Sequence, residues 1–248
     1  MMLLKIFLPT KVFITMNNKY EVRPIGKIQT GFSSKFGIPR QSGIVSELCG
    51  KILFENQYRG PDWTRGLEGF SHIWVLWMFS DNVGANIGAT VRPPKLGGNT
   101  RMGVFATRSP FRPNFIGMSV LKLEKIEYTS ENGTILYVKG ADMVDGTPII
   151  DIKPYLPISD KIDNASSGFA LDFSGADRIV LNVVFRDNCM GDFPEEHMDE
   201  LKGILSQDPR PAYISDGDRE YSFEFYGYNI KFTVFDGTLF VSKISKLT

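Results

Sequence analysis

Short runs in which apolar and polar residues alternate, set between turn signals, dominate the N-terminal part of the chain. Val22–Thr30, Gly43–Leu48, Lys51–Glu55, His72–Phe79, Met102–Thr107, Ser119–Glu127 and Thr134–Gly140 are rich in β-branched and aromatic residues, and each predicts a strand. Ser119–Glu127 and Thr134–Gly140 flank the turn signal Glu131-Asn132-Gly133, which predicts a hairpin. Within His72–Phe79, Trp74 and Trp77 differ in parity, so a strand sends them to opposite faces. No long helical period separates these runs, and no G-x-G-x-x-G turn follows any of them. A doubly wound nucleotide fold is therefore excluded in favour of a mostly antiparallel sheet or barrel.

The pattern changes after Asp151-Ile152-Lys153-Pro154-Tyr155-Leu156-Pro157. Ser159 to Gly175 is polar, small and aspartate-rich, the composition of a loop or linker. A second unit then begins with the apolar run Ile179–Phe185 and the helix Pro194–Gln207, whose Met198, Leu201, Ile204 and Leu205 share one face. Three strands follow, Tyr221–Tyr226, Ile230–Phe235 and Leu239–Ile244, the last two joined by the hairpin turn Asp236-Gly237. The expected organisation is mainly β. A β-barrel-like, non-Rossmann domain spans 21–160, a linker 161–178, and a smaller α+β C-terminal domain 179–248. Residues 1–20 stand outside this reading: Pro9-Thr10-Lys11 breaks the apolar stretch Met1–Met16, which is too short for a membrane span, and Met16 competes with Met1 as the start.

At 248 residues and 42% hydrophobic content the chain can bury a sizeable core. Two distant cysteines, Cys49 and Cys189, make neither a metal cluster nor a disulfide framework, which points to a reducing, cytoplasmic compartment. With His72 and His197 as the two histidines, a zinc site is not expected. Formal charge is balanced, 28 basic against 28 acidic residues, but not evenly spread. Between Asp81 and Glu124 there is no acidic residue, while Arg92, Lys95, Arg101, Arg108, Arg112 and Lys122 fall there among Gly, Pro and Asn. The molecule is electrically polarised, with rigid guanidinium-bearing loops that would steer an anionic ligand.

Three further segments bear chemistry, each with a plain structural alternative. Gly37-Ile38-Pro39-Arg40-Gln41-Ser42-Gly43 is a polar loop in which Gln41 suits an adenine edge or an amide, or the glycines and Pro39 merely shape a turn. His72 opens an aromatic strand and reads either as a hydrogen-bonded core histidine or as part of a cofactor wall. Asp142 and Asp145, in Gly140-Ala141-Asp142-Met143-Val144-Asp145-Gly146-Thr147-Pro148, form either a turn or a pair of acceptors for ribose hydroxyls or a cationic ligand.

Taken in order, Ile38-Pro39-Arg40-Gln41, Gly66–Trp74, Thr90–Asn99, Gly103–Asn114 and Asp145-Gly146-Thr147-Pro148 resemble the TrmO family, over about residues 22–158. Gln207-Asp208-Pro209-Arg210-Pro211-Ala212-Tyr213 resembles the C-terminal domain of its longer bacterial members. The resemblance implies an S-adenosylmethionine-dependent methyltransferase with a barrel-like domain, working as a homodimer without metal. Its substrate would be tRNA carrying threonylcarbamoyladenosine beside the anticodon, at position 37, methylated on N6. A non-catalytic S-adenosylmethionine- or RNA-binding regulatory module is the alternative; a neutral chain with its aromatics in strand-like runs favours the enzyme. Phe115 stands where the family usually has Pro.

By the same resemblance the cofactor is expected on Pro39, Arg40, Gln41, His72, Ile73, Arg108, Leu136, Asp142, Met143, Val144 and Asp145. Asp142 or Asp145 would take ribose hydroxyls or stand near the sulfonium, Arg108 would take the methionine carboxylate, and His72 would orient. For the tRNA, Arg92, Arg112 or Lys153 would clamp the threonyl carboxylate, while Lys95, Arg101 and Lys122 meet phosphates. These arginine-bearing elbows and the aspartate corner are expected to share one crevice. Removal of the substrate proton requires a carboxylate or a water chain, and the sequence leaves that base unassigned.

Overall fold

A computed structural model describes residues 21–97, 99–169, 180–210 and 219–247. In chain order its N-terminal strands are β1 (Gly26–Gln29), β2 (Cys49–Phe54), β3 (His72–Met78), β4 (Thr90–Val91), β5 (Met102–Gly103), β6 (Ile116–Thr129), β7 (Gly133–Lys139) and β8 (Pro148–Pro154), followed by the short helix α1 (Pro157–Asp160). Then come β9 (Asn182–Phe185), helix α2 (Met198–Ser206), β10 (Tyr221–Phe225), β11 (Tyr228–Phe235) and β12 (Thr238–Lys246).

Antiparallel pairing in the order β1-β2-β7-β6-β3-β8 closes a barrel, since β8 returns to β1. The period-two pattern fills it: Ile73, Val75 and Trp77 of β3 point inward while His72, Trp74, Leu76 and Met78 are half-buried outside. Ile28, Ile52, Leu121, Leu136, Val138 and Ile149 complete the interior. Strand β6 is long enough to pair with β3 through its first half and with β7 through its second, bending at a register shift between Leu123 and Lys125. At Gly117 a Cβ would overlap the Trp77 indole, so glycine lets that ring lie against the β6 backbone.

A second sheet, ordered β10-β11-β12-β9, carries α2 on one face. Its two hairpins turn at Tyr226-Gly227 and Asp236-Gly237, with φ positive at all four residues, as tight two-residue turns require. Leu201, Ile204 and Leu205 of α2 are buried against this sheet. Phe32, Val45 and Leu48, from the connection between β1 and β2, belong to the same core. Gly37, at positive φ, seats that connection where a Cβ would overlap the Phe223 ring.

This docking overturns one expectation. Gly43–Leu48 is a series of turns, not a strand, because Val45 and Leu48 anchor a loop in the second core instead of alternating across a sheet. Met102–Thr107 contributes only β5 before a 3-10 turn, Val104–Ala106, takes over. Strand β8 was not anticipated at all. The helix expected over Pro194–Gln207 starts as a 3-10 turn, Glu195–His197, and becomes regular at Met198. Half of the expected linker (170–178 of 161–178) and the end of the Gln207–Tyr213 motif (211–213) lie outside the described residues. Among the described residues no helix is long and apolar enough to cross a membrane, and no cluster of three or more His, Cys, Asp or Glu could hold a metal ion.

Candidate active site

Closure of the barrel brings three connections to one rim: β1 to β2, β3 to β6, and β7 to β8. A cleft of about 360 Å³ lies among them. Trp77, Met78 and Phe79 from the end of β3, Ile116, Gly117 and Met118 from the start of β6, and Met143 and Val144 give it an apolar floor. Ile38, Pro39, Arg40 and Gln41 form one wall, and Arg108, Pro110 and Arg112 another.

Asp142 lines the cleft just after Gly140, whose positive φ turns the chain off β7. Its Oδ1 accepts a hydrogen bond from the Ser119 hydroxyl at 2.7 Å, and that hydroxyl in turn accepts one from Trp77 Nε1–H at 3.0 Å. The carboxylate is mostly buried. Loss of hydration pushes its pKa up to about 6, against the pull of the Ser119 hydroxyl, the backbone N–H groups of Asp142 and Ser42, and the charge of Arg108. The arginines meet neutral partners: Arg108 donates to Gln41 Oε1, and Arg112 donates from Nη2 to the carbonyl oxygens of Thr107 at 2.9 Å and Val104 at 3.4 Å. Arg112 Nε is buried with no hydrogen-bond partner, an unmatched donor in a cationic wall. Asp81 lies at the edge and pairs with Lys35 at 3.5 Å.

The cleft thus offers one carboxylate in low-polarity surroundings, aromatic and thioether faces, and unneutralised guanidinium groups. Such a set suits a ligand that has both a cationic centre and a carboxylate. The volume falls in the range of small-molecule sites.

Comparison with known proteins supplies the family. Residues 27–161 match the family model of the tRNA-methyltransferase O N-terminal domain, and residues 181–247 match that of the TrmO C-terminal domain. The chain belongs to the TrmO family. A tRNA (adenine(37)-N6)-methyltransferase of Escherichia coli K12 is 37% identical over 224 residues, covering 88% of this chain and 95% of that one. Its counterpart in Eikenella corrodens is 42% identical over 176 residues, 71% of this chain and 97% of the relative. The crystal structure of TrmO from Pseudomonas aeruginosa superposes with a TM-score of 0.73 at 28% identity, covering 92% of this chain and all of that one (100%).

Of the residues proposed by resemblance to the TrmO family, Pro39, Arg40, Gln41, Arg108, Asp142, Met143 and Val144 share the cleft, and Arg112 joins them. The others do not line it. His72 opens β3 at the opposite rim, about 17 Å of strand away from Trp77; its Nδ1 lies 2.9 Å from Ser71 Oγ and its ring meets Tyr155 edge-on. Ile73 and Leu136 point into the barrel core with no exposed surface (0%). Asp145 is exposed and serves the backbone: its Oδ1 accepts the Thr30 N–H at 3.0 Å and its own N–H donates to Phe32 at 2.8 Å.

Among the basic residues, Lys122 and Lys153 lie on the outer barrel wall, paired with Glu124 at 2.5 Å and Asp151 at 3.4 Å. Arg92 and Arg101 are exposed near the β4–β5 ribbon, where Arg101 donates to Thr90 Oγ1 at 3.0 Å, and Lys95 sits in the 3-10 turn Pro94–Leu96. Among the described residues only the second elbow, Arg108–Arg112, reaches the crevice; those of the Arg92–Asn99 elbow do not line it. Sequence reasoning missed Trp77, Phe79, Met118 and Ser119. Ser119 carried a readable signal: it is a polar residue at an inward position of β6, between Gly117 and Leu121.

Proposed function

We propose that this chain is an S-adenosylmethionine-dependent methyltransferase that methylates N6 of threonylcarbamoyladenosine at position 37 of tRNA. The observation that carries this reading is the cleft itself, where Asp142 and the cationic wall of Arg40, Arg108 and Arg112 meet over an apolar floor in a chain of the TrmO family. Bound there, S-adenosylmethionine supplies an activated methyl group. Asp142 and the Trp77 and Phe79 faces favour its positive centre, and Arg108 receives its carboxylate.

Methyl transfer is an in-line displacement, so the protein's main task is to align the nitrogen with the methyl carbon and exclude water. Met143, Val144 and Met118 supply apolar surface for that exclusion. The threonyl carboxylate of the modified base adds a negative charge, which the remaining guanidinium groups of the wall attract. Arg92 and Arg101, outside the cleft, take phosphates of the anticodon loop, and Phe105, 81% exposed and between Arg101 and Arg108 in sequence, offers a stacking face to an unpaired base. We take the working enzyme to be a cytoplasmic homodimer in which residues 21–160 form the methyltransferase domain, 161–178 a linker and 179–248 a supporting C-terminal domain.

Incubation with radiolabelled S-adenosylmethionine and tRNA tests this reading. Label is expected on tRNA bearing threonylcarbamoyladenosine and not on tRNA lacking the threonylcarbamoyl group. Equal labelling of both tRNAs would remove the carboxylate from the recognition scheme, and labelling of neither would overturn the function.

A further inference from the structure

We propose that Asp142 is the proton acceptor of the methyl transfer, and that Ser119, locked by Trp77, is the residue that positions its carboxylate. This rests on the methyltransferase reading above. The substrate nitrogen is part of a urea-like group, a poor nucleophile that must lose its proton as it attacks. Among the described residues that line the cleft, the ionisable groups are Lys35, Arg40, Asp81, Arg108, Arg112 and Asp142. The lysine ammonium and the three guanidinium groups are hydrogen-bond donors with no acceptor site. Asp81 is exposed at the edge and tied to Lys35. Asp142 remains, on the floor side and beside the apolar residues that keep water out.

Its orientation is fixed through a one-way relay. Trp77 Nε1–H can only donate, so it occupies a lone pair of Ser119 Oγ and leaves the serine proton directed at Asp142 Oδ1. Both partners are buried, and Gly117 holds the indole in place. One carboxylate oxygen is thereby committed, while an ionised carboxylate retains further lone pairs for the substrate.

The step balances. The N6–H bond breaks and its proton passes to the Asp142 carboxylate; the N6 electron pair forms the bond to the methyl carbon; the methyl–sulfur bond breaks with its pair retained by sulfur. A carboxylate anion and a sulfonium cation enter, and a carboxylic acid and a neutral thioether leave. Because charge is annihilated, low-polarity surroundings favour the step, unlike one that creates charge. The groups facing Asp142 are Arg108, the Ser119 hydroxyl and the Ser42 N–H. Against loss of hydration they leave the carboxyl near neutrality, where a general base works best.

The test combines Asp142→Asn and Ser119→Ala with the unmodified enzyme. Asp142→Asn is expected to lower kcat at saturating cofactor about 10²-fold or more, beyond any weakening of the calorimetric Kd for S-adenosylmethionine that loss of a charge near the sulfonium brings. In the unmodified enzyme kcat/KM should rise with pH through an ionisation near 6, the value at which Asp142 loses its proton. Ser119→Ala removes a donor that favours the ionised form, so this limb should move to higher pH. The Asp142 carboxyl carbon, followed by NMR in the cofactor-free protein, should titrate upward by the same amount. Retained turnover in Asp142→Asn overturns the proposal. Weakening of the cofactor Kd in that variant by as much as kcat falls overturns it too, by assigning Asp142 to cofactor binding alone, and so does a limb that Ser119→Ala leaves in place. An unmodified enzyme that labels no tRNA defeats the functional reading itself, a result distinct from all three.

Discussion

Two carboxylates meet the chain around the start of β2, Asp142 at Ser42 and Glu200 at Cys49, and they are treated in opposite ways. Glu200, 4% exposed on α2, accepts the Cys49 N–H at 2.9 Å and the Tyr226 hydroxyl at 3.3 Å, and lies 2.9 Å from His197 Nδ1, whose ring stacks on Tyr226. Burial, with Glu200 beside it, pushes the Tyr226 hydroxyl far above the ordinary phenol range, so it stays a donor. Asp142 faces a cleft, takes one side-chain donor and is left short of hydration. A carboxylate saturated by its own protein is a fastener between the barrel and the second sheet, whereas an under-satisfied one beside a cavity retains capacity for a ligand or a proton.

The sharpest way to break that contrast is to remove each carboxylate. Glu200→Ala should destabilise the protein by about 3 kcal/mol, because it takes the shared acceptor from the Cys49 N–H and the half-buried Tyr226 hydroxyl. Urea unfolding would register this, with the affinity for S-adenosylmethionine unchanged; a lost affinity would make Glu200 part of the site. Asp142→Asn should do the reverse. Its folded-state pKa is raised from 3.8 to about 6, so stability is fully present below about pH 4 and is lost as pH rises through 6. The asparagine variant escapes a penalty of roughly 3 kcal/mol at most. It should therefore melt higher than the unmodified protein at pH 8 and not at pH 4; an unchanged difference across that range would show an ordinary, hydrated carboxyl.

Smaller effects sharpen the same picture. Gly117→Ala should displace the Trp77 indole and cost about 1–3 kcal/mol, visible as a shifted tryptophan emission. Lys153→Ala breaks only an exposed pair with Asp151 and should change stability by about 0.5 kcal/mol or less. A larger loss would mean that the outer barrel wall contributes more than its geometry indicates.

Much of this was legible in the sequence where a local rule decides the outcome. The alternation in β3 separated Trp74 from Trp77, the Asp236-Gly237 turn set a hairpin, and the acid-free stretch marked Arg108 and Arg112. What depends on closure of the barrel was not legible. Resemblance to the TrmO family put His72 with Asp142, while the antiparallel path of β3 carries His72 to one rim and Trp77 to the other. Asp145 read as a ligand group because an Asp-Gly turn has the same sequence whether it binds a cofactor or caps β1, as its bond to Thr30 does. Val45 and Leu48 read as a strand because the second core that receives them lies far along the chain. Glu200 looked like one more acidic residue on a helix, and nothing local announced the three partners that meet it.

The indole N–H resonances of Trp63, Trp74 and Trp77 discriminate most directly between the cleft and every other face. Trp77 lies on the cleft floor, Trp74 donates to Asp160 at 2.8 Å beside His72 on the outer wall, and Trp63 packs edge-on against Tyr58. Titration of the nitrogen-15-labelled protein with S-adenosylmethionine should move the Trp77 signal and leave Trp63 and Trp74 in place. Movement of Trp74 with Trp77 unmoved would put the cofactor on the His72 face and contradict the site described here.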